Sequence, residues 1–226
     1  RTVLPGFIDT HTHPAMAGQR LSRVDCKSPP NTCIGDIVAR FAEEAKKKKP
    51  GEWIYGEGYN MGLIWEPEGR HITRSDLDPV TPNNPVQISS VGGHTGSIYN
   101  GFALRLAGID EHTPVPEPPA IIERDANGVP SGRVSESAEA PLLELLPPIT
   151  RKDKHEFLTA AGRQYLEWGV TTVHDAYVTP TDWAVYQELL AAGDLLVRTG
   201  LMVFHPVAET MGIYSGESTI DTLGAM

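Results

Sequence analysis

Short apolar runs without polar alternation recur along this chain, separated by amphipathic helical patterns. Such runs mark strands buried on both faces, and their alternation with helices predicts βα units feeding a parallel sheet. The runs fall near residues 3–9, 53–57, 86–91, 170–174 and 197–204, with a sixth candidate near 133–136. Between residues 34 and 48, Ile34, Ile37, Val38, Phe41, Ala42 and Ala45 share one helical face, and Pro50-Gly51 stops the helix. Asn100 caps a helix through Leu106, and residues 154–168 and 181–192 give two more, ended by Gly169 and Gly193. The expected architecture is α/β, a (β/α)8 TIM barrel. Such a barrel needs eight strands over about 250 residues, so these 226 residues are expected to stop before it closes. One partial barrel domain over 1–226 is expected, with an insertion near 110–135. There Asp125-Ala126-Asn127-Gly128 reads as the tight turn of a β-hairpin.

Composition narrows the function classes. With 19 basic and 29 acidic residues the net charge is −10, which argues against general nucleic-acid binding. The basic run Lys46 to Lys49 ends a predicted helix, where it suits the negative end of the dipole. No apolar run reaches the roughly 18–20 residues that cross a membrane. Cys26 and Cys33 make no disulfide framework and are read as free thiols. The chain opens on Arg1 and runs at once into an apolar stretch, like the middle of a longer gene product. No leader is legible, and the cytoplasm is the default compartment.

The segment Val3-Leu4-Pro5-Gly6-Phe7-Ile8-Asp9-Thr10-His11-Thr12-His13-Pro14 carries the most chemistry. In an extended strand, residues i and i+2 point the same way. His11 and His13 therefore project from one face at the carboxyl end of a strand, with Thr12 turned away. In parallel barrels that end is the catalytic face, and two imidazoles there can share one divalent cation. Eight histidines would give a bare His-x-His pair by chance roughly 0.3 times, so its position behind a buried strand gives it weight. Asp9 either orients an imidazole or satisfies backbone donors.

Other residues are weighed by the same strand-end rule. His94, after Gly92-Gly93, could bind substrate or polarise a carbonyl, or simply cap a helix. Glu136 is a candidate bridging or substrate-contacting carboxylate, with a solvated glutamate as the alternative. His174, followed by Asp175, and His205, before Pro206, end strands and are weaker candidates. His71, His112 and His155 receive no role. Trp53, Tyr59 and Trp65 either shape an apolar pocket or pack in the core.

The histidine segment resembles the first-strand signature of the amidohydrolase superfamily. Later segments resemble amidohydrolase family 3, which includes N-substituted formamide deformylase-like enzymes. The matching stretches run in order: Arg74 with Leu77-Asp78, Pro85-Val86, Gly93-His94, Asn100 with Ala103-Leu104, Gly108-Ile109, Arg124-Asp125 with Gly128, Pro130 with Gly132, Glu136 with Ala138, and Gly169 through Ala176. The resemblance implies a metal-dependent hydrolase cleaving C–N bonds of amides, formamides or cyclic amides. It also implies a (β/α)8 barrel and a small accompanying β-sandwich. The metal implied is divalent, zinc first, and the partner is a small amide-type substrate, with further copies of the chain as candidate protein partners. The family's remaining ligands are two histidines and an aspartate on later strands, often with a bridging carboxylate or carbamylated lysine. Those positions and the general base are expected beyond Met226, so the chain alone is expected not to be a competent enzyme. Two rival readings remain. Phe7 to His13 also resembles TatD-type metal-dependent deoxyribonucleases, and the chain could be a truncated fragment that binds without turnover.

Overall fold

The computed structural model describes residues 2–60, 62–63, 69–90 and 96–203. From the N-terminus the elements are β1 (Phe7–Thr12), α1 (Pro14–Leu21), β2 (Val24–Asp25), α2 (Ile34–Ala45), β3 (Ile54–Tyr59), α3 (Arg74–Leu77), β4 (Val86–Ser90), β5 (Ser97–Tyr99) and α4 (Gly101–Leu106). There follow β6 (Ile121–Arg124), β7 (Pro130–Ser135), a 3-10 turn (Glu136–Glu139), α5 (Ala140–Leu143), α6 (Arg151–Glu167), β8 (Val170–Val178), α7 (Pro180–Ala192) and β9 (Arg198–Val203). They form two compact units, one from residues 1–21 with 149–226 and one from residues 22–148.

The first unit is a parallel sheet of order β1-β8-β9 with its connecting helices. Both long helices start on capping boxes. Thr150 and Asp153 exchange hydrogen bonds at the start of α6, and Thr179 and Asp182 do so at α7, where Pro180 takes the first turn. Gly169 and Gly193 stop the two helices at φ +76° and +77°, a left-handed conformation that glycine adopts without a Cβ penalty. Leu158, Ala161 and Tyr165 of α6 and Val185, Tyr186 and Leu189 of α7 bury against Val173, Val178 and Val197. The first strand starts at Phe7 rather than near residue 3. Pro5 cannot donate to the ladder, and Gly6 passes so close to β8 that a Cβ there would lie 2.2 Å from Thr171 Oγ1.

The second unit is a mixed sheet of order β2-β3-β4-β5-β7-β6, parallel from β2 to β4 and antiparallel beyond. The strands expected near 53–57 and 86–91 exist as β3 and β4, but in this sheet and not beside β1. The run near 133–136 belongs to β7, an antiparallel strand that forms the expected hairpin with β6. The described residues therefore form two open sheets, and no closed barrel is seen among them. β3 and β4 are buried as expected, but the apolar residues of β1, Phe7 and Ile8, are 56% and 63% exposed among the described residues, so the expected buried first strand is not seen. An apolar run therefore reports a strand and neither its neighbour nor its cover. Cys26 and Cys33 are free thiols. Burial pushes the Cys26 thiol up to about 12, which removes it from thiolate chemistry. Among the described residues no helix is long and apolar enough to cross a membrane.

Buried Asn100 ties this unit together. Its Oδ1 accepts from Val86 N and Ala103 N (both 3.0 Å), and its Nδ2 donates to Thr81 Oγ1 (3.0 Å) and Asn84 O (2.9 Å). Asn100→Ala removes the α4 cap and leaves several buried groups unpaired. The expected loss is on the order of 3 kcal/mol by urea unfolding, and a loss below about 1 kcal/mol would contradict it.

A second test uses pH. Asp76 accepts from Arg70 Nη1 and Nη2 and from Thr73 N, each at 2.8 Å. Burial pushes this carboxyl up, but the Arg70 and Thr73 donors outweigh burial and hold it below the ordinary value of 3.8. A carboxylate lowered on folding contributes stability that is complete above the ordinary value and lost as pH falls through the folded value. Unfolding midpoints between about pH 5 and pH 2 should fall less steeply in Asp76→Asn than in wild type. Parallel slopes would show that Asp76 does not carry this dependence.

Candidate metal centre

His11 lies in the last turn of the pleat of β1, and His13 is the first residue beyond the strand. Pro14 opens α1, and the residue before a proline is pushed towards extended backbone. The chain therefore stays extended to His13, whose carbonyl accepts the first helical bond from Ala17 N at 2.8 Å. The two imidazoles lie side by side, with ring centroids 5.5 Å apart and planes at 81°. Thr12 turns to α6 instead, where its Oγ1 shares a 2.8 Å hydrogen bond with the Tyr165 hydroxyl. Asp9 Oδ1 accepts from His11 N at 3.1 Å, so it satisfies a backbone donor.

Register brings one more carboxylate to this end of the sheet. Thr12 pairs with Asp175 in parallel register, and Asp175 Oδ1 stands 4.0 Å from His13 Nδ1. Asp175 is 1% exposed. The Tyr186 hydroxyl donates to its Oδ2 at 2.9 Å, and Tyr177 N donates to its Oδ1 at 3.1 Å. Burial raises the Asp175 carboxyl despite those two donors, and the Asp182 charge adds to the rise. Burial, then the charge of Asp175, raise the Tyr186 hydroxyl in turn. A cleft of about 160 Å³ opens here, lined in part by His13, Asp175, Tyr177, Lys154, Thr179 and Asp182. Lys154 Nζ is held 2.6 Å from Asp182 Oδ1 and donates to Thr179 Oγ1 at 3.1 Å.

His174 alternates with Asp175 along β8 and lies over Gly200 of β9, its register partner. A Cβ on Gly200 would meet its ring at 2.9 Å, so only a bare backbone leaves room for this imidazole. Glu136 lies in the second unit, exposed, as the first residue of the 3-10 turn after β7. Its φ of +54° is the one positive value at a non-glycine residue among those described, a strain of about 1–3 kcal/mol. Trp53 and Tyr59 are buried in the core of that unit. His94, His205 and Trp65 lie outside the described residues, and with His94 its expected approach to the histidine pair. In the sequence Asp175 stands out only as the neighbour of His174; its burial on β8 and its register opposite Thr12 single it out in the fold.

The paired residues fit a divalent metal as two of its ligands. Two imidazoles suit zinc and similar ions. The half-exposed His13 ring also keeps a buried Nδ1 with no hydrogen-bond partner. Among the described residues no group of three or more His, Cys, Asp or Glu is placed to hold a metal ion.

Two solved structures share this mixed α/β fold, both described as uncharacterized metal-dependent hydrolases. The one from Pyrococcus furiosus matches with a TM-score of 0.58 and 23% identity, over 88% of this chain and 37% of that one. The one from Pyrococcus horikoshii OT3 gives 0.60 and 21%, over 88% and 36%. The chain belongs to the amidohydrolase family, whose model matches residues 1–224. It is 35% identical over 203 residues to an N-substituted formamide deformylase of Arthrobacter pascens, covering 86% of this chain and 36% of that protein. It is 29% identical over 213 residues to the putative amidohydrolase YtcJ of Bacillus subtilis, covering 92% of this chain and 39% of that protein. The chain thus spans well under half the length of these relatives.

Proposed function

We propose that this chain contributes the first metal-ligand pair, His11 and His13, to a zinc-dependent hydrolase that cleaves C–N bonds of amides, formamides or cyclic amides. The observation that carries the reading is the pair of adjacent imidazoles at the carboxyl end of β1, in a member of the amidohydrolase family. In this reading sheet β1-β8-β9 is one part of a (β/α)8 barrel, and its strand ends face a small amide-type substrate. A bound divalent cation supplies a water that is nucleophilic near neutral pH and polarises the scissile carbonyl. The chain's own residues hold and orient. His11 and His13 bind through ring nitrogens, while the Thr12–Tyr165 hydrogen bond anchors the intervening residue to α6. His174, on the face of β8 opposite Asp175, contacts substrate.

The test uses a protein of the relatives' full length that contains this chain. Turnover of N-substituted formamides or N-acyl amides, lost on chelation and restored by zinc, is the expected result. Cleavage of phosphodiesters without amide hydrolysis would overturn the reading in favour of the nuclease alternative.

A further inference from the structure

We propose that Asp175 is a positioning residue for His13, accepting a hydrogen bond from its Nδ1–H so that Nε2 is left bare for the metal. This rests on the metal-ligand reading above. A neutral imidazole carries one proton, and whichever nitrogen holds it cannot bind a cation. His13 Nδ1 is buried with no hydrogen-bond partner, a state that is unfavourable for a polar atom. Asp175 Oδ1 faces it at 4.0 Å, about 1 Å beyond a hydrogen bond. The carboxylate is fixed from its other sides by the Tyr186 hydroxyl and Tyr177 N. Lys154, the cation of the same cleft, is engaged by Asp182, leaving Asp175 as the carboxylate beside His13. The imidazole is 41% exposed and its χ2 well is broad, so a small ring rotation closes the gap without moving the buried acid. Metal-bound histidines characteristically donate their second nitrogen to such a carboxylate.

The tautomer can be read without metal or substrate. The 226-residue chain is labelled with 15N-histidine, and long-range 1H–15N correlations are recorded metal-free at about pH 8, where free imidazole is neutral. His13 is assigned by its absence in His13→Ala. The expected result is a His13 protonated on Nδ1. In Asp175→Ala the acceptor is gone, so the ring should shift towards the Nε2-protonated form. Zinc affinity, measured by competition with a chromophoric chelator, should fall about 10–100-fold. A wild-type His13 protonated on Nε2 overturns the proposal, and that measurement stands even where the variant does not fold. Unchanged tautomer and zinc affinity in a folded Asp175→Ala also overturn it. If the tautomer follows Asp175 but His11→Ala/His13→Ala binds zinc as wild type does, the positioning role holds and the metal assignment falls.

Discussion

Replacing His11 and His13 together with alanine is expected to lower zinc affinity by more than about 100-fold, beyond the 10–100-fold typical of losing an outer partner of a metal site. Both rings are at least partly exposed, so little buried apolar area is lost and the chain should stay folded. Elemental analysis after purification and equilibrium dialysis against zinc measure the effect, with circular dichroism as the folding control. Equal zinc in wild type and a folded double variant would remove the pair from any metal site. A smaller loss in either single variant would show that the remaining imidazole still holds the ion with ligands supplied from elsewhere.

Gly18→Ala should be the most damaging single-methyl substitution in the first unit. A Cβ on Gly18 of α1 would sit 1.8 Å from the Phe157 carbonyl oxygen and 2.7 Å from its Cα, both backbone atoms of α6. Alanine gains about 1 kcal/mol in helix propensity over glycine. Forcing two packed backbones apart costs more, about 3 kcal/mol, so the net loss is about 2 kcal/mol or greater. Because α1 begins on the residue after His13, its displacement should also weaken zinc binding. Gly35→Ala in α2 is the control. Its added Cβ would meet only Cys33 Sγ, at 3.5 Å, and a gain of up to about 1 kcal/mol is expected. Gly18→Ala as stable as wild type by urea unfolding would mean that the α1–α6 contact yields easily.

What the sequence disclosed here was local. The long helices were legible because Thr150, Thr179, Gly169 and Gly193 punctuate them and their apolar faces repeat. The adjacency of His11 and His13 followed from strand periodicity and from Pro14, which keeps the chain extended to the helix. Sheet membership was not legible. All these strands read as short apolar runs, and nothing in such a run names the strand it pairs with or says whether it is covered, as the exposed Phe7 and Ile8 of β1 show. Asp175 was hidden for a related reason. Its significance comes from its register opposite Thr12, a relation between residues far apart in the chain.

That separation governs the order in which this molecule can assemble. Thr12 and Tyr165, joined by their hydroxyls, are 153 residues apart. During synthesis at 5–20 residues per second, β1 waits roughly ten to thirty seconds for the helix and strand that cover it. Throughout that interval Phe7 and Ile8 lack β8, their partner among the described residues, while residues 22–148 pair among themselves over shorter spans. Loop closure on this scale slows folding, and an unpaired apolar strand invites association with other chains. The histidine pair is therefore synthesised long before Asp175, and its surroundings are completed only when residues beyond Tyr165 have been made.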